Sequence, residues 1–412
     1  MNFDDEIFEH ERDDRVKPNY DRGESYLDSL RADDRVRMWL ADKLQPETGK
    51  ALVRLQSLAD LQRMAVMPDV HPSADVCVGT VIATTSVVYP SAIGGDIGCG
   101  MTTARLRDGV SWSREAGVRV LKRWKQAISI AVRHAGSNAT TPCHAPSADE
   151  LISPNLQRLA RSTGERQIGT LGRGNHFVEL QVDEQGGLWI LVHSGSRAMG
   201  QAVLDDALRS GPVRATLPGL DAESEAGQRY RAQQEWCVRY AKANRCALLA
   251  VAAAETAVAF GATGWRNQGE IDWSTLIDLP HNFIRDEEHV GAKYIVHRKG
   301  AAPAIAGQLG VIPGSAGTMS VHVEGRSVPE SLASSSHGAG RVLSRGDAKR
   351  SITMNSIRRA MKDVVYDETM TDQLRDESPD AYRDLRVVLE AQRDLVKVVR
   401  RLTPLVSFKA GG

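Results

Sequence analysis

Apolar positions change their spacing several times along this chain, and the changes mark its elements. From "MAVMPDVH" to "MTTARL" the texture is β-branched and glycine-rich, and "VGTVIATTSVVYP" predicts strand bounded by Gly and Pro. Helical spacing follows over 113–135, where Val118, Val120, Leu121, Trp124, Ile128 and Ile130 alternate with Arg119, Lys122, Arg123 and Lys125, whose basic face is read as solvated. Strand texture returns from "GTLGRGNHFVEL" to "LWILVHSGSR", and helices are expected over 200–262. Two further strand blocks run through "HNFIRDEEHVGAKYIVHRKGA" and "GVIPGSAGTMSVHVEG". Helices are expected again around 345–364 and 380–402, ahead of the tail "SFKAGG". Upstream, residues 1–63 are charge-rich, with a helix predicted over "DSLRADDRVRMWLADKL" that ends before Pro46. The stretch "GSNATTPCHAPSADE" at 136–150 carries loop chemistry. No repeat of solenoid or propeller period and no linker-like low complexity breaks the alternation. The pattern predicts one interwoven α+β domain over 64–412, with 1–63 packing on it.

Composition narrows the classes. With 412 residues, 42 % hydrophobic and 25 % charged, the chain reads as a globular protein with a substantial core, neither disordered nor collagen-like. Lys plus Arg and Asp plus Glu number 52 each, so a nucleic-acid partner must be held by local patches and not by bulk charge. The start "MNFDDEIFEHERDD" lacks the basic and apolar regions of a secretory signal, so a cytoplasmic protein is expected. The most apolar segment, "CALLAVAAAETAVAFGATGW", is interrupted by Glu255 and Thr256 and is read as a buried helix, with no membrane partner. Five widely spread cysteines, Cys77, Cys99, Cys143, Cys237 and Cys246, suggest no disulfide framework, and reduced thiols are expected.

Several short stretches carry candidate chemistry. In "SSSHGAGRVLSR", glycines on both sides of Ala339 let the backbone approach a ligand, and the amides that follow suit a phosphate. His337 is then placed to touch what binds; the competing reading is a turn histidine that caps a helix. In "GGDIGCGM", Asp96 stands three residues before Cys99, a spacing at which carboxylate and thiolate reach one metal, against the alternative of a glycine-rich turn with a buried cysteine. "GNHFVE" adds Asn175, His176 and Glu179, "LVHSGSR" adds His193, and "LPHNF" adds His281 and Asn282. Asp96, Cys99, His176, His193 and His281 are too many ligands for one tetrahedral site with an open position, but they suit two metals sharing the thiolate. Paired divalent ions serve phosphoryl or nucleotidyl transfer. Beside them, the His337 imidazole can attack the α-phosphorus of a nucleoside triphosphate and hold the nucleotide as a phosphoramidate.

In order from Met64 to Lys409, the motifs "PDVH", "DIGCGM", "GNHFVE", "HSGSR", "RKGA", "IPGSAG", "SSSHGAGR" and "FKAGG" resemble those of the RtcB-type RNA-splicing ligases. The resemblance implies a single large α+β domain with mixed sheets around a dinuclear metal site and helices outside. Two Mn²⁺ ions would share Cys99, one held also by Asp96 and His176, the other by His193 and His281. His337 would be guanylylated by GTP, with Asn175 also catalytic. The nucleotide would be contacted by Asn175, His176, Phe177, Val178 and Glu179, by His281 and Asn282, and by Pro313, Gly314, Ser315, Ala316 and Ser320. Further contacts would come from His337, Gly338, Ala339, Gly340, Tyr382 and Lys409. RNA would meet Arg197, Arg298, Lys299, Arg341 and Arg345. The substrate implied is RNA with a 3′-phosphate or 2′,3′-cyclic phosphate and a 5′-hydroxyl end, joined by a monomer, with an archease-like activator as a further partner. Against the family's pattern, "PSADVCVG" places Asp75 near the expected RNA path, His297 precedes "RKGA", and Cys77 lies close to the metal motif. The same ligands would also serve a binuclear phosphoesterase, for which "SSSHGAGR" and Lys409 have no purpose. A non-catalytic RNA-binding protein would need neither the five ligands nor His337.

Overall fold

The structure, a computed structural model, describes residues 24–131, 141–210, 217–262 and 270–409. Two sheets carry the architecture. In the larger, seven strands hydrogen-bond in the order Leu309–Ile312, Ser320–Gly325, Val396–Lys409, Phe177–Asp183, Leu188–Ser194, Gly100–Leu106 and Ile271–Pro280. In the smaller, five lie in the order Val36–Met38, Arg63–His71, Val78–Thr84, Ala292–Lys299 and Asn282–His289. Neighbours in both sheets are antiparallel except the first pair of the smaller, where Val36 to Met38 run parallel to Met64 to Val66. Mixed helices and sheets in one large domain agree with the α+β class expected from the pattern.

The helix Glu225–Phe260 joins the two sheets into one body. Ser224 caps its start by accepting from the Gly227 N–H, and Gly261, at φ 68°, ends it in the left-handed region. Its second half packs Leu248, Leu249, Ala252 and Ala253 against Trp124 of the helix Arg114–Ala127 and against Leu180, Ile190 and Val192 of the large sheet. Its first half packs Trp236 and Cys237 with Ile97, Phe283 and Ile295 at the small sheet. Among the described residues this helix alone is long and apolar enough to cross a membrane, but 67 % of its most apolar window is buried inside the protein, as expected of a core helix.

Three expectations are corrected. The helix predicted over 28–44 stops at Arg31, because Asp33 accepts from the Arg35 N–H and guanidinium and turns the chain into the strand Val36–Met38; the next helix begins at Pro46. Residues 1–63 therefore supply a strand to the small sheet, and Leu27, Leu30 and Leu52 share a core cluster with Met64, Val66 and Val70. The helix expected over 380–402 is only Leu385–Ala391, and Val396–Lys409 is a strand paired on both sides. Lastly, Cys143 and Cys246 form a disulfide across 103 residues, while Cys77, Cys99 and Cys237 are free and buried. The 141–150 loop folds onto the long helix, where Trp236 donates to the Ser147 carbonyl and Arg239 pairs with Glu150, and this brings the two sulfurs together. The expected helix over 113–135 is Arg114–Ala127; its last residues and part of the 136–150 loop lie outside the described residues.

Candidate active site

One end of the large sheet gathers the metal-binding candidates. Met101, two residues past Cys99, lies between His193 and Leu279 of its neighbouring strands, so Cys99, His193 and His281 meet at the same edge. The His281 N–H donates to the Cys99 carbonyl (2.8 Å) and the Gly98 N–H to that of Asn282 (2.7 Å). Gly98 sits at φ 74°, and a Cβ there would lie 2.8 Å from Val238 Cα of the long helix, so the turn needs glycine twice over. Two donor groups result, Cys99 with His193 and His281, and Cys99 with Asp96 and His176; within each, the donor atoms lie within 4.8 Å of one another. Cys99 Sγ is 3.2 Å from His193 Nε2 and 3.5 Å from His176 Nε2, which in turn is 3.1 Å from Asp96 Oδ2.

The main chain orients both rings. His193 Nδ1 faces the Asn175 carbonyl (3.1 Å), which only accepts, so Nδ1 carries the proton and the Nε2 lone pair points at Cys99; His176 Nδ1 faces the Leu171 carbonyl (3.0 Å), and its Nε2 lies between Cys99 and Asp96. Burial, with the neighbouring histidines, pushes His193 and His281 well below the ordinary imidazole range, so both are neutral. Burial, with the Asp96 carboxylate, pushes the Cys99 thiol well up. A thiolate there requires a cation beside it. Soft sulfur, neutral imidazoles and a carboxylate fit divalent transition metals in both groups.

His337 stands on the same cavity. Its Nδ1 is 2.7 Å from Asp69 Oδ2, which also accepts the His337 backbone N–H (3.2 Å), and its ring centroid is 4.6 Å from that of His281. Asp69 has no exposure and holds Nδ1, which leaves Nε2 as the ring nitrogen free to meet a ligand. Gly340 closes this turn at φ 72°, where a Cβ would lie 2.3 Å from the Asp69 carbonyl. The first helix after His337 begins at Arg345, so the histidine does not cap it. The motif "PDVH" alone assigns Asp69 no role; its only signal is a carboxylate within an apolar, strand-forming run.

A cavity of about 490 Å³ joins these groups to most of the expected nucleotide contacts. Asn175, Phe177, Glu179, Asn282, Pro313, Gly314, Ser315, Ala316, Ser320, Gly338, Ala339, Gly340, Tyr382 and Lys409 line it with His337, as do Lys299, Arg341 and Arg345. Asn282 Nδ2 donates to the Asp96 carbonyl, and Gly300 N–H to Asn282 Oδ1. Burial pushes the Glu179 carboxyl up to about 7, although Gln181 donates to it (2.9 Å). Elsewhere in the lining Glu377 gathers three expected residues: Lys409 Nζ is 3.0 Å away, the Tyr382 hydroxyl donates to it (2.7 Å), and Arg341, which lies 4.9 Å over the Tyr382 ring, pairs with it at 3.9 Å. Lys409 thus belongs to a paired strand. Glu377 and the apolar lining of Met361, Tyr366, Met370, Leu374 and Phe408 were missed from sequence.

Two expected contacts are removed by strand alternation. Phe177 and Glu179 face the cavity, so Val178 between them points into the core, with no exposure. Arg298, next to Lys299, is 1 % exposed and engages Glu287, Ser334 and the Leu332 carbonyl instead of facing RNA. Arg197 lies outside the lining, with Nη1 3.3 Å from His176 Nδ1. Of the departures, His297 is buried and accepts the Tyr89 N–H (3.0 Å), Cys77 is buried, and Asp75 is exposed.

Donors for divalent cations facing a carboxylate-braced histidine across one cavity are the groups that phosphoryl or nucleotidyl transfer uses. A family profile described as "tRNA-splicing ligase RtcB" matches residues 51–157 and 143–410. The chain is 34 % identical over 406 residues to the RNA-splicing ligase RtcB of Escherichia coli (strain K12), covering 91 % of this chain and 97 % of that protein. It is 26 % identical over 464 residues to the tRNA-splicing ligase RtcB of Methanococcus maripaludis, with 90 % and 93 % covered. With the RNA-splicing ligase RtcB2 of Escherichia coli (strain ATCC 25922) it shares 28 % over 380 residues, with 86 % and 90 % covered. The chain belongs to the RtcB family.

Proposed function

We propose that this RNA ligase joins an RNA 3′-phosphate to a 5′-hydroxyl through a guanylylated His337, with GTP as co-substrate. The observation that carries the reading is the His337–Asp69 pair at 2.7 Å beside His281. His337 Nε2 attacks the α-phosphorus of GTP and pyrophosphate leaves, while the Nδ1 proton stays on Asp69's side and the carboxylate balances the charge gained by the ring. An oxygen of the RNA 3′-phosphate then attacks the same phosphorus, the P–N bond breaks, and an RNA-3′-pp-5′-G end results. Attack of the 5′-hydroxyl on the RNA 3′-phosphorus, with loss of its proton, forms the phosphodiester and releases GMP. A 2′,3′-cyclic phosphate is first opened by water.

Cys99 shared between Asp96 with His176 and His193 with His281 would hold two Mn²⁺, which supply Lewis-acid stabilisation of phosphate charge. Asn175, at the cavity edge, orients the reacting phosphate. Tyr382, Lys409, Ser320, Asn282 and residues 313–316 and 337–340 surround the guanine nucleotide, and Lys299, Arg341 and Arg345 meet RNA. A cytoplasmic monomer assisted by an archease-like activator, with residues 64–412 as the catalytic unit, completes the reading.

The test is incubation with GTP labelled on the α-phosphate plus Mn²⁺, followed by denaturing electrophoresis and acid treatment. Acid-labile label is expected on the wild type and none on His337→Ala; a labelled His337→Ala protein would sink the mechanism. Asp69→Asn should slow labelling by about 10²-fold or more at saturating GTP, because it removes the charge behind the attacking ring.

A further inference from the structure

We infer that Asn244 and Arg245, adjacent on the helix Glu225–Phe260, form a positioning clamp that fixes the spacing of the two metal donor groups; this rests on the metal reading proposed above. Neither residue lines the cavity and both have no exposure, so they act only through what they hold. Arg245 Nη1 donates to the Gly98 carbonyl (2.6 Å), one residue before Cys99, and to the Ser194 carbonyl (3.1 Å), one residue after His193. Its Nε donates to Thr102 Oγ1 (2.8 Å) and Asp278 Oδ1 (2.9 Å), and Asp278 lies three residues before His281. One guanidinium thus ties together the three chain segments that carry Cys99, His193 and His281.

Asn244 does the same for the other group. Its Oδ1 accepts from the Gly169 and Thr170 N–H groups (2.8 and 3.1 Å). Its Nδ2 lies within donating distance of the Thr170 carbonyl, Ser194 Oγ and the Gly195 carbonyl, at 3.0 to 3.2 Å. The next residue, Leu171, has a carbonyl that faces His176 Nδ1 (3.0 Å) and accepts from Ser194 Oγ (2.9 Å). Asn244 therefore sets where the His176 ring is anchored, relative to the strand end that carries His193. A guanidinium buried only for stability needs a carboxylate partner, and Asp278 supplies one. Its remaining N–H groups need acceptors too, and the two carbonyls that supply them flank Cys99 and His193, so satisfying the guanidinium also fixes those ligands.

Substitutions that keep charge or shape separate the two roles. Arg245→Lys keeps a cation beside Asp278 but loses the planar fork, and Asn244→Asp keeps an acceptor for Gly169 and Thr170 but loses the donors. Leu52→Ala, fully buried on the helix Pro46–Gln56 in a different core cluster from the clamp, serves as the variant that only destabilises. Each full-length protein is titrated with Co²⁺ while sulfur-to-cobalt absorption is followed, and its thermal unfolding is recorded without metal. Arg245→Lys is expected to weaken Co²⁺ binding by about 10–100-fold and diminish the sulfur band, and Asn244→Asp to weaken one equivalent more than the other. Leu52→Ala should unfold at lower temperature and titrate like the wild type. Wild-type titration curves from both clamp variants would overturn the clamp, leaving the metal reading intact. If Arg245→Lys does not fold, Asn244→Asp decides alone. Absence of any sulfur-to-cobalt band in the wild type overturns the metal reading, and this inference with it.

Discussion

Two parts of the cavity are built differently. At the metal-donor end, every ligand sits at a strand terminus or a glycine turn, and main-chain hydrogen bonds set its position: His281 N–H to Cys99, Gly98 N–H to Asn282, and the two Nδ1 atoms on carbonyls. Around Glu377, one buried carboxylate holds Lys409, Tyr382 and Arg341 by side-chain charge and hydrogen bonding. The first arrangement fixes donor atoms to a fraction of an ångström because a sheet cannot shift one residue without shifting its neighbours. The second tolerates small movements, as suits a pocket that would admit and release the proposed guanine nucleotide.

This difference is broken most severely at Cys99. Cys99→Ala removes the one donor that both groups share, so calorimetric titration with Mn²⁺ should show binding lost in both groups and RNA joining at the detection limit. Retention of one tight equivalent would mean that the groups do not depend on the shared sulfur. A smaller effect is expected at Glu377. Burial opposes its ionisation, yet Lys409 and the Tyr382 hydroxyl hold its carboxyl below the ordinary range. Glu377→Gln leaves the Lys409 ammonium buried without its counter-charge, and the KM for GTP should rise about tenfold with kcat little changed, about 1.4 kcal/mol. A fall in kcat at constant KM would show that this group takes part in the chemical step.

The same contrast explains what was readable in the sequence. Asp96, Cys99, His176, His193 and His281 stand in short motifs whose local backbone already predicts turns and strand ends, so their convergence was legible from residue type and position. Asp69 and Glu377 were not, because their meaning lies in partners far along the chain: His337 is 268 residues from Asp69. Val178 and Arg298 were misplaced because a motif names consecutive residues, whereas a strand shows alternate ones to the cavity. The strand Val396–Lys409 was taken in part for helix since Leu395, Val398, Val399 and Leu402 also recur at helical spacing. Pairing with Ser320–Gly325 on one side and Phe177–Asp183 on the other overrides that spacing.

The last expected effect is on stability and not on catalysis, at Glu179 in the cavity lining. Burial holds its carboxyl at about 7, against an ordinary 4.5. Between those values the unfolded chain has released a proton that the folded protein still keeps, so rising pH favours unfolding by at most about 1.4 kcal/mol per pH unit. The loss begins near the ordinary value and is complete once pH passes the folded one. Glu179→Gln has no proton to release, so its unfolding midpoint in denaturant should fall less than that of the wild type between pH 5 and pH 8. Parallel midpoints for the two proteins across that range would mean that Lys409 and Gln181 already stabilise the ionised form of the buried carboxylate, so that Glu179 is charged at neutral pH.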